Sequence, residues 1–189
     1  DKLFQRYKAV YDGRASAGLN AQQMRIVERA FEEYVRNGAN LNPAQKAQLT
    51  AINTELAGLF AEFGSKLLAD ESTLTFVTNE AELAGLDAGF KASLASAAAA
   101  AGHPGQWAIK NTRSSAQPVL QFAHNRALRE RVWRAFTTRG DNAGANNTGP
   151  TISRILALRQ QRAVLLGFQN HAYYRMADTM AKTPERAMD

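Results

Sequence analysis

Three histidines are the side chains of this sequence best suited to hold a metal or carry a proton at neutral pH. They stand as His103-Pro104, His124-Asn125 and His171-Ala172. A helical zinc hydrolase site of the HExxH type needs two imidazoles one turn apart, with a glutamate beside the first to work on the metal-bound water. None of the three histidines is followed by Glu, and no two lie three to five residues apart, so no local metal pair exists. His103 falls in a Gly-Pro turn and is expected at the surface. His124 marks a helix junction and His171 a helix start. Each reads as a surface or capping residue.

The other nucleophile and phosphate patterns are absent. Without cysteine the chain has no disulfide scaffold, no Cys-ligated zinc and no thiolate nucleophile. No G-x-S-x-G, P-loop or G-x-G-x-x-G occurs. The close acids Glu32-Glu33, Glu80 and Glu82 read as solvated helix and loop carboxylates rather than a tuned acid–base pair. Arg139-Gly140-Asp141 is an adhesion-like tripeptide, and Asn146-Asn147-Thr148 is a formal glycosylation sequon. Both patterns are short enough to arise by chance. No residue is assigned as catalytic, cofactor-binding or metal-ligating.

Charge is the one concentrated feature. With 23 Lys+Arg against 17 Asp+Glu the net charge is +6. Residues 125–162 contain Arg126, Arg129, Arg131, Arg134, Arg139, Arg154, Arg159 and Arg162 against only Glu130 and Asp141, so this stretch carries the whole excess. Such a patch is either an anion or nucleic-acid surface, or a set of guanidinium–carboxylate pairs with acids brought in from elsewhere in the fold. No aromatic residue alternates with the arginines as a base-stacking surface requires, and no helix-turn-helix pattern is evident. Arg129 stands apart. At about 100° per residue it falls inside the apolar arc of Leu128, Val132, Phe136 and Trp133. It is expected at least half buried and bonded to a carboxylate or to backbone carbonyls.

The elements that would position these residues are helical. Of 189 residues 35 are Ala, only 5 are Pro, and aromatic residues make up 8%. Ala is the best helix former and a poor strand former. The 45% hydrophobic content suffices for a core, and no apolar run approaches the roughly 20 residues of a membrane span. The expected class is mainly α: an antiparallel helical bundle or set of hairpins with a small two-stranded β insert near residues 73–110.

A helix over 1–14 ends at Gly13 and Gly18. Asn20 with Gln23 gives a capping box for a helix that stops at Asn37-Gly38. Asn42-Pro43-Ala44-Gln45 starts the best-specified helix, in which Leu49, Ile52, Leu56, Leu59, Phe60, Phe63 and Leu67 step by three and four. From 43 to 70 it would span on the order of 42 Å. With the helix before it, it reads as a hairpin. Leu74–Thr78 and Gln106–Lys110 read as strands flanking a helix capped by Asp87. Pro118 is expected to open a short helix, Asn125 to cap another reaching Arg139, and Pro150 to start one that Gly167 stops. Gly140–Gly149, rich in Gly and Asn, reads as a mobile, exposed loop. The expected organisation is one helical piece: a hairpin region over 1–71, the insert over 72–112, and an Arg-rich helical region over 113–189.

Both ends read as interrupted. Leu3, Phe4, Tyr7, Val10 and Tyr11 begin a helical pattern without a start signal. At the other end Thr183-Pro184-Glu185 is a cap, a first-turn proline and a first-turn acid, and the sequence then stops at Asp189. The expectation is an internal fragment of a longer protein.

Six stretches, taken in order, carry a resemblance: Arg25-Ile26-Val27-Glu28-Arg29, Gly38-Ala39-Asn40-Leu41, Ala81-Glu82-Leu83-Ala84-Gly85-Leu86, Asn125-Arg126-Ala127-Leu128-Arg129-Glu130, Leu165-Leu166-Gly167-Phe168 and Met180-Ala181-Lys182-Thr183-Pro184. Together, across almost the whole chain, they resemble the thimet-oligopeptidase family of zinc metallopeptidases, nearest its peptidyl-dipeptidase branch. The resemblance implies a largely helical enzyme with a deep channel for oligopeptide substrates, in a branch that releases dipeptides from the free C-terminus. It implies zinc held by HExxH and a later glutamate, in a catalytic region C-terminal to Asp189. This chain would then be a non-catalytic wall of that channel, binding no zinc and inactive alone, with an apolar face for the missing catalytic region. The Arg-rich stretch could draw a peptide carboxylate toward the channel. A cytoplasmic setting fits best, with the periplasm open, and neither nucleic acid nor membrane is expected as a partner. Two other readings stand beside it: a self-standing basic helical module for nucleic acid or another acidic partner, and a purely structural interaction domain.

Overall fold

The computed structural model describes residues 2–189. The chain forms two compact units. One combines the segment ending at Gly58 with Arg154–Asp189, and the other is Leu59–Ser153. The fold is mainly α with one small antiparallel sheet, as expected from composition and periodicity.

In the first unit, α1 (Lys2–Asp12) packs on α2 (Ala21–Arg36). Their seam is an aromatic ladder. Phe4 stacks on Phe31 at 5.9 Å, Tyr11 on Phe31 at 3.9 Å, and Tyr7 meets Tyr34 at 4.8 Å between ring centroids. Rings at one-turn spacing on both helices make this seam, and offset or tilted contacts of this kind exceed simple area burial in value. Asn20 and Gln23 form the reciprocal capping box at the start of α2. Gly38 ends the segment at φ 89°, where a Cβ would lie 2.5 Å from Leu49 Cδ2. Only glycine takes that conformation in that space. Asn42 and Gln45 cap α3 (Pro43–Glu71) in the same reciprocal way.

Within this unit the buried face of α3 is Leu49, Ile52 and Leu56, and that of α7 (Gly149–Leu165) is Ile155, Leu158 and Ala163. Arg154 holds both oxygens of Glu55 at 2.6 and 2.8 Å, and Arg162 reaches Asn53 at 3.2 Å. α8 (His171–Met176) is capped by Asn170, which accepts from Ala172 and Tyr173, and α9 (Pro184–Met188) by Thr183.

In the second unit, β1 (Leu74–Val77) pairs antiparallel with β2 (Trp107–Lys110), with Thr75 opposite Ile109. α4 (Ala88–Ala100) lies between them in sequence and is capped by Asp87, which accepts from Phe90 N–H at 2.8 Å. α5 (Arg113–Phe122) and α6 (Arg126–Thr137) follow. One core joins the strands to these helices: Val77, Leu83, Leu94, Ile109, Val119, Leu128 and Val132.

Two expectations are corrected here. Pro118 does not open α5 but lies inside it. Thr112 stands at the N-cap, and the proline removes a donor only to the Ser114 carbonyl, at an exposed residue that water can serve. Burial of Ala116 and Val119 holds the helix on both sides of the ring. The second correction concerns Gly140–Gly149. Its residues Gly140 and Thr148 are buried, because the loop wraps an aspartate that carries no catalytic signature in the sequence.

Candidate functional site

The aspartate is Asp70, at the C-terminal end of α3 and only 7% exposed. A negative charge there opposes the helix dipole, so it persists only where donors surround it. The loop supplies them. Oδ2 accepts from the Gly140 N–H at 2.7 Å and from Asn142 Nδ2 at 2.8 Å, and Oδ1 accepts from Asn146 Nδ2 at 2.7 Å. The Gly140 amide is the leading cause of a carboxyl held below the usual aspartate range; burial pushes the other way, and Asn146, Asn142 and the charge of Arg139 add to the lowering.

Neighbouring groups close the arrangement. Gly140 takes φ 70°, and a Cβ there would meet Leu67 Cδ2 at 2.9 Å. Its carbonyl accepts from both the amide and the hydroxyl of Thr148, each at 2.7 Å. Asn111 Nδ2 donates to the carbonyls of Asp70 and Ala135, at 3.1 and 2.9 Å. Arg139 pairs with Glu71 at 2.8 Å and lies over the Phe136 ring. Lys66 reaches Glu62 at 2.6 Å, Thr151 at 3.0 Å and the Asn147 carbonyl at 3.1 Å. Both short motifs of this region are thus structural. Arg139 and Gly140 of the tripeptide, and Asn146 and Thr148 of the sequon, are committed to the network. An ionised carboxylate with three donors directed at it is an anchor for the loop rather than a proton acceptor.

Each histidine has its own surroundings. His103 is exposed and its ring lies tilted against Phe76, 4.3 Å between centroids. His124 is exposed and lies at the α5–α6 junction, where its N–H donates to the Ala84 carbonyl. His171 lies in the first unit, with its pKa lowered by burial and then by Arg159, Arg162 and Arg175. Among the described residues no group of three or more His, Asp or Glu is placed to hold a metal ion.

The arginines of the basic stretch are largely engaged. Arg129 is mostly buried and donates to the carbonyls of Ala123 and His124, as its place in the apolar arc required. Arg131 pairs with Glu82, Arg134 with Glu130, Arg139 with Glu71 and Arg154 with Glu55. Three of these four partners come from outside residues 125–162. A stretch that is strongly basic in sequence is therefore much less so in space.

Comparison with known proteins follows the resemblance read from the sequence. Residues 119–189 match Peptidase family M3. The chain is 39% identical over 189 residues to dipeptidyl carboxypeptidase of Escherichia coli (strain K12), covering all of this chain and 28% of that protein. It is 33% identical to oligopeptidase A of the same organism, covering 99% of this chain and 28% of that protein. It is also 33% identical to a probable cytosolic oligopeptidase A of Arabidopsis thaliana, covering 98% and 27%. The chain thus spans little more than a quarter of the length of these relatives. With the family match over residues 119–189 and peptidase relatives aligned along its whole length, the chain is similar to peptidase family M3 and consistent with a fragment of the thimet-oligopeptidase family.

Proposed function

We propose that this chain is a non-catalytic helical part of a zinc metallopeptidase that cleaves short peptides and releases dipeptides from their C-termini. The observation that carries the reading is the 39% identity to a dipeptidyl carboxypeptidase over the whole chain. The chain's own residues do not fit a catalytic zinc: no group of three or more potential ligands forms among the described residues. Zinc, when bound, would supply Lewis-acid and water-activating chemistry from residues of the parent beyond this chain. No step is assigned to residues here.

What this part contributes is rigidity. Capped helices in each unit, and a latched loop and packed core in the second, suit a rigid wall for a narrow oligopeptide channel. Phe60, Leu68, Phe122 and Trp133 are exposed in the second unit and fit a face that meets the catalytic region. Arg129, Arg131 and Arg134 have protein partners, which weighs against a role in drawing in substrate carboxylates and against a basic nucleic-acid module. No described helix is long and apolar enough to cross a membrane, and the cytoplasm is the proposed setting.

The test is an assay of the protein encoded by the whole reading frame beside this chain alone, on an N-blocked tetrapeptide. The expected result is chelator-sensitive release of the C-terminal dipeptide by the former and no hydrolysis by the latter. Hydrolysis by this chain alone, or inactivity of the complete protein with zinc present, overturns the reading.

A further inference from the structure

A groove of about 650 Å³ opens within the first unit, along α2 and the segment 168–182. Its charged lining is Arg25, Arg29, Arg36, Arg175 and Lys182 against Glu32, Glu33 and Asp178, a balance of two positive charges. Asp178 is already shared, at 2.9 Å from Arg29 and 3.5 Å from Arg36. Arg175 and Lys182 are exposed and have no ion pair among the described residues. Lys182 also holds a left-handed backbone, φ 68°, the one non-glycine residue among those described to do so.

A second observation lies at Tyr174, on the wall of the same groove. Four buried side-chain polar atoms lack a hydrogen-bond partner among the described residues, and three of them surround this ring. They are Arg36 Nε, Arg162 Nε and His171 Nδ1. Their groups lie 5.6, 5.4 and 6.0 Å from the Tyr174 centroid. Of these three only Arg36 lines the groove, and its unfilled Nε–H, beside a cavity of net positive charge, is what an anionic oxygen ligand would satisfy. Phe31, Phe168 and Tyr174 supply an apolar wall next to it.

We infer that this groove binds an anionic oxygen group, either a carboxylate on an apolar body or a free oxyanion. The inference does not rest on the peptidase reading, because it concerns binding by this chain whatever its parent cleaves. The test is NMR of the 189-residue chain, following arginine Nε–Hε signals during titration with N-acetylphenylalanine, its neutral amide, or sodium sulfate at matched ionic strength. The expected result is a saturable shift of the Arg36 signal with acid but not with amide, weakened at least 10-fold in the exposed-site double variant Arg175→Gln, Lys182→Gln. Sulfate binding as tightly as the acid supports the site with a free oxyanion as its ligand, whereas a clear preference for the acid assigns the organic carboxylate. Linear drift of all arginine signals alike, including Arg113 and Arg126 of the other unit, would show screening alone and overturn the inference. Unchanged binding by the double variant would overturn it equally.

Discussion

Asn146 and Asp70, 76 positions apart, are joined by a 2.7 Å hydrogen bond from Nδ2 to Oδ1. That bond, with those from Gly140 and Asn142, converts a Gly/Asn-rich stretch into a fixed cover over the end of α3. Asp70→Ala leaves two side-chain amides and one buried backbone N–H without their acceptor. The expected cost is about 1–3 kcal/mol, from the desolvation of unsatisfied donors. Urea unfolding measures it, and limited proteolysis should show new cleavage between Gly140 and Gly149. A variant with unchanged midpoint and no new cleavage would mean that the cover does not depend on the aspartate.

The same carboxylate sets an acid limb. Its folded pKa lies below the unfolded value, so its stabilisation is fully present above the ordinary aspartate range and is lost as pH falls through the lowered value. Asp70→Asn should be less stable than the parent chain near neutrality and lose less on going from pH 5 to pH 2. Parallel curves for the two proteins, measured by urea midpoints across that range, would assign the acid sensitivity to other groups.

Gly85 provides a steric test. At φ 94° a Cβ would sit 2.1 Å from the Phe122 carbonyl oxygen and 2.6 Å from His124 Cδ2. Gly85→Ala must therefore shift backbone, and about 2 kcal/mol or more of stability should go with it. Gly102 shares the positive φ but has open space around it, so Gly102→Ala carries the conformational cost alone. Equal melting temperatures for the two variants would refute the crowding at Gly85.

Nucleic-acid binding should be weak. With Arg131, Arg134, Arg139 and Arg154 paired to carboxylates, few cations of the basic stretch remain to displace counterions. Titration of random duplex DNA at physiological salt should give no micromolar complex. A micromolar Kd with a steep salt slope would return the basic-module reading to first place.

Local signals in the sequence were sufficient for most of the fold. Asn20, Asn42, Asp87, Asn125, Asn170 and Thr183 all cap the helices that their spacing implied, because a cap is decided within one turn. Arg129 was readable for a similar reason, its neighbours at helical spacing leaving it no open water. Asp70 was not. Its donors lie 70 to 76 positions away, beyond any periodic pattern. One clue was present: Asp70 and Glu71 are adjacent acids in the last turn of a helix, where the dipole disfavours them and where remote donors or cations must therefore compensate. Pro118 is not a helix start, because tertiary burial of Val119 and Ala116 outweighs the one missing bond.

The second unit is also a nearly closed circuit of chain. It is entered along α3 and left along α7, and close to those two points Thr151 bonds Glu62 at 3.0 Å while Lys66 holds the Asn147 carbonyl at 3.1 Å. Entry and exit therefore lie side by side, so a short linker could join them. New termini could be opened at the turn around Gly102 and Gly105, where the space beside each glycine is empty. Residues 59–153 thus have the geometry of a circularly permutable cassette.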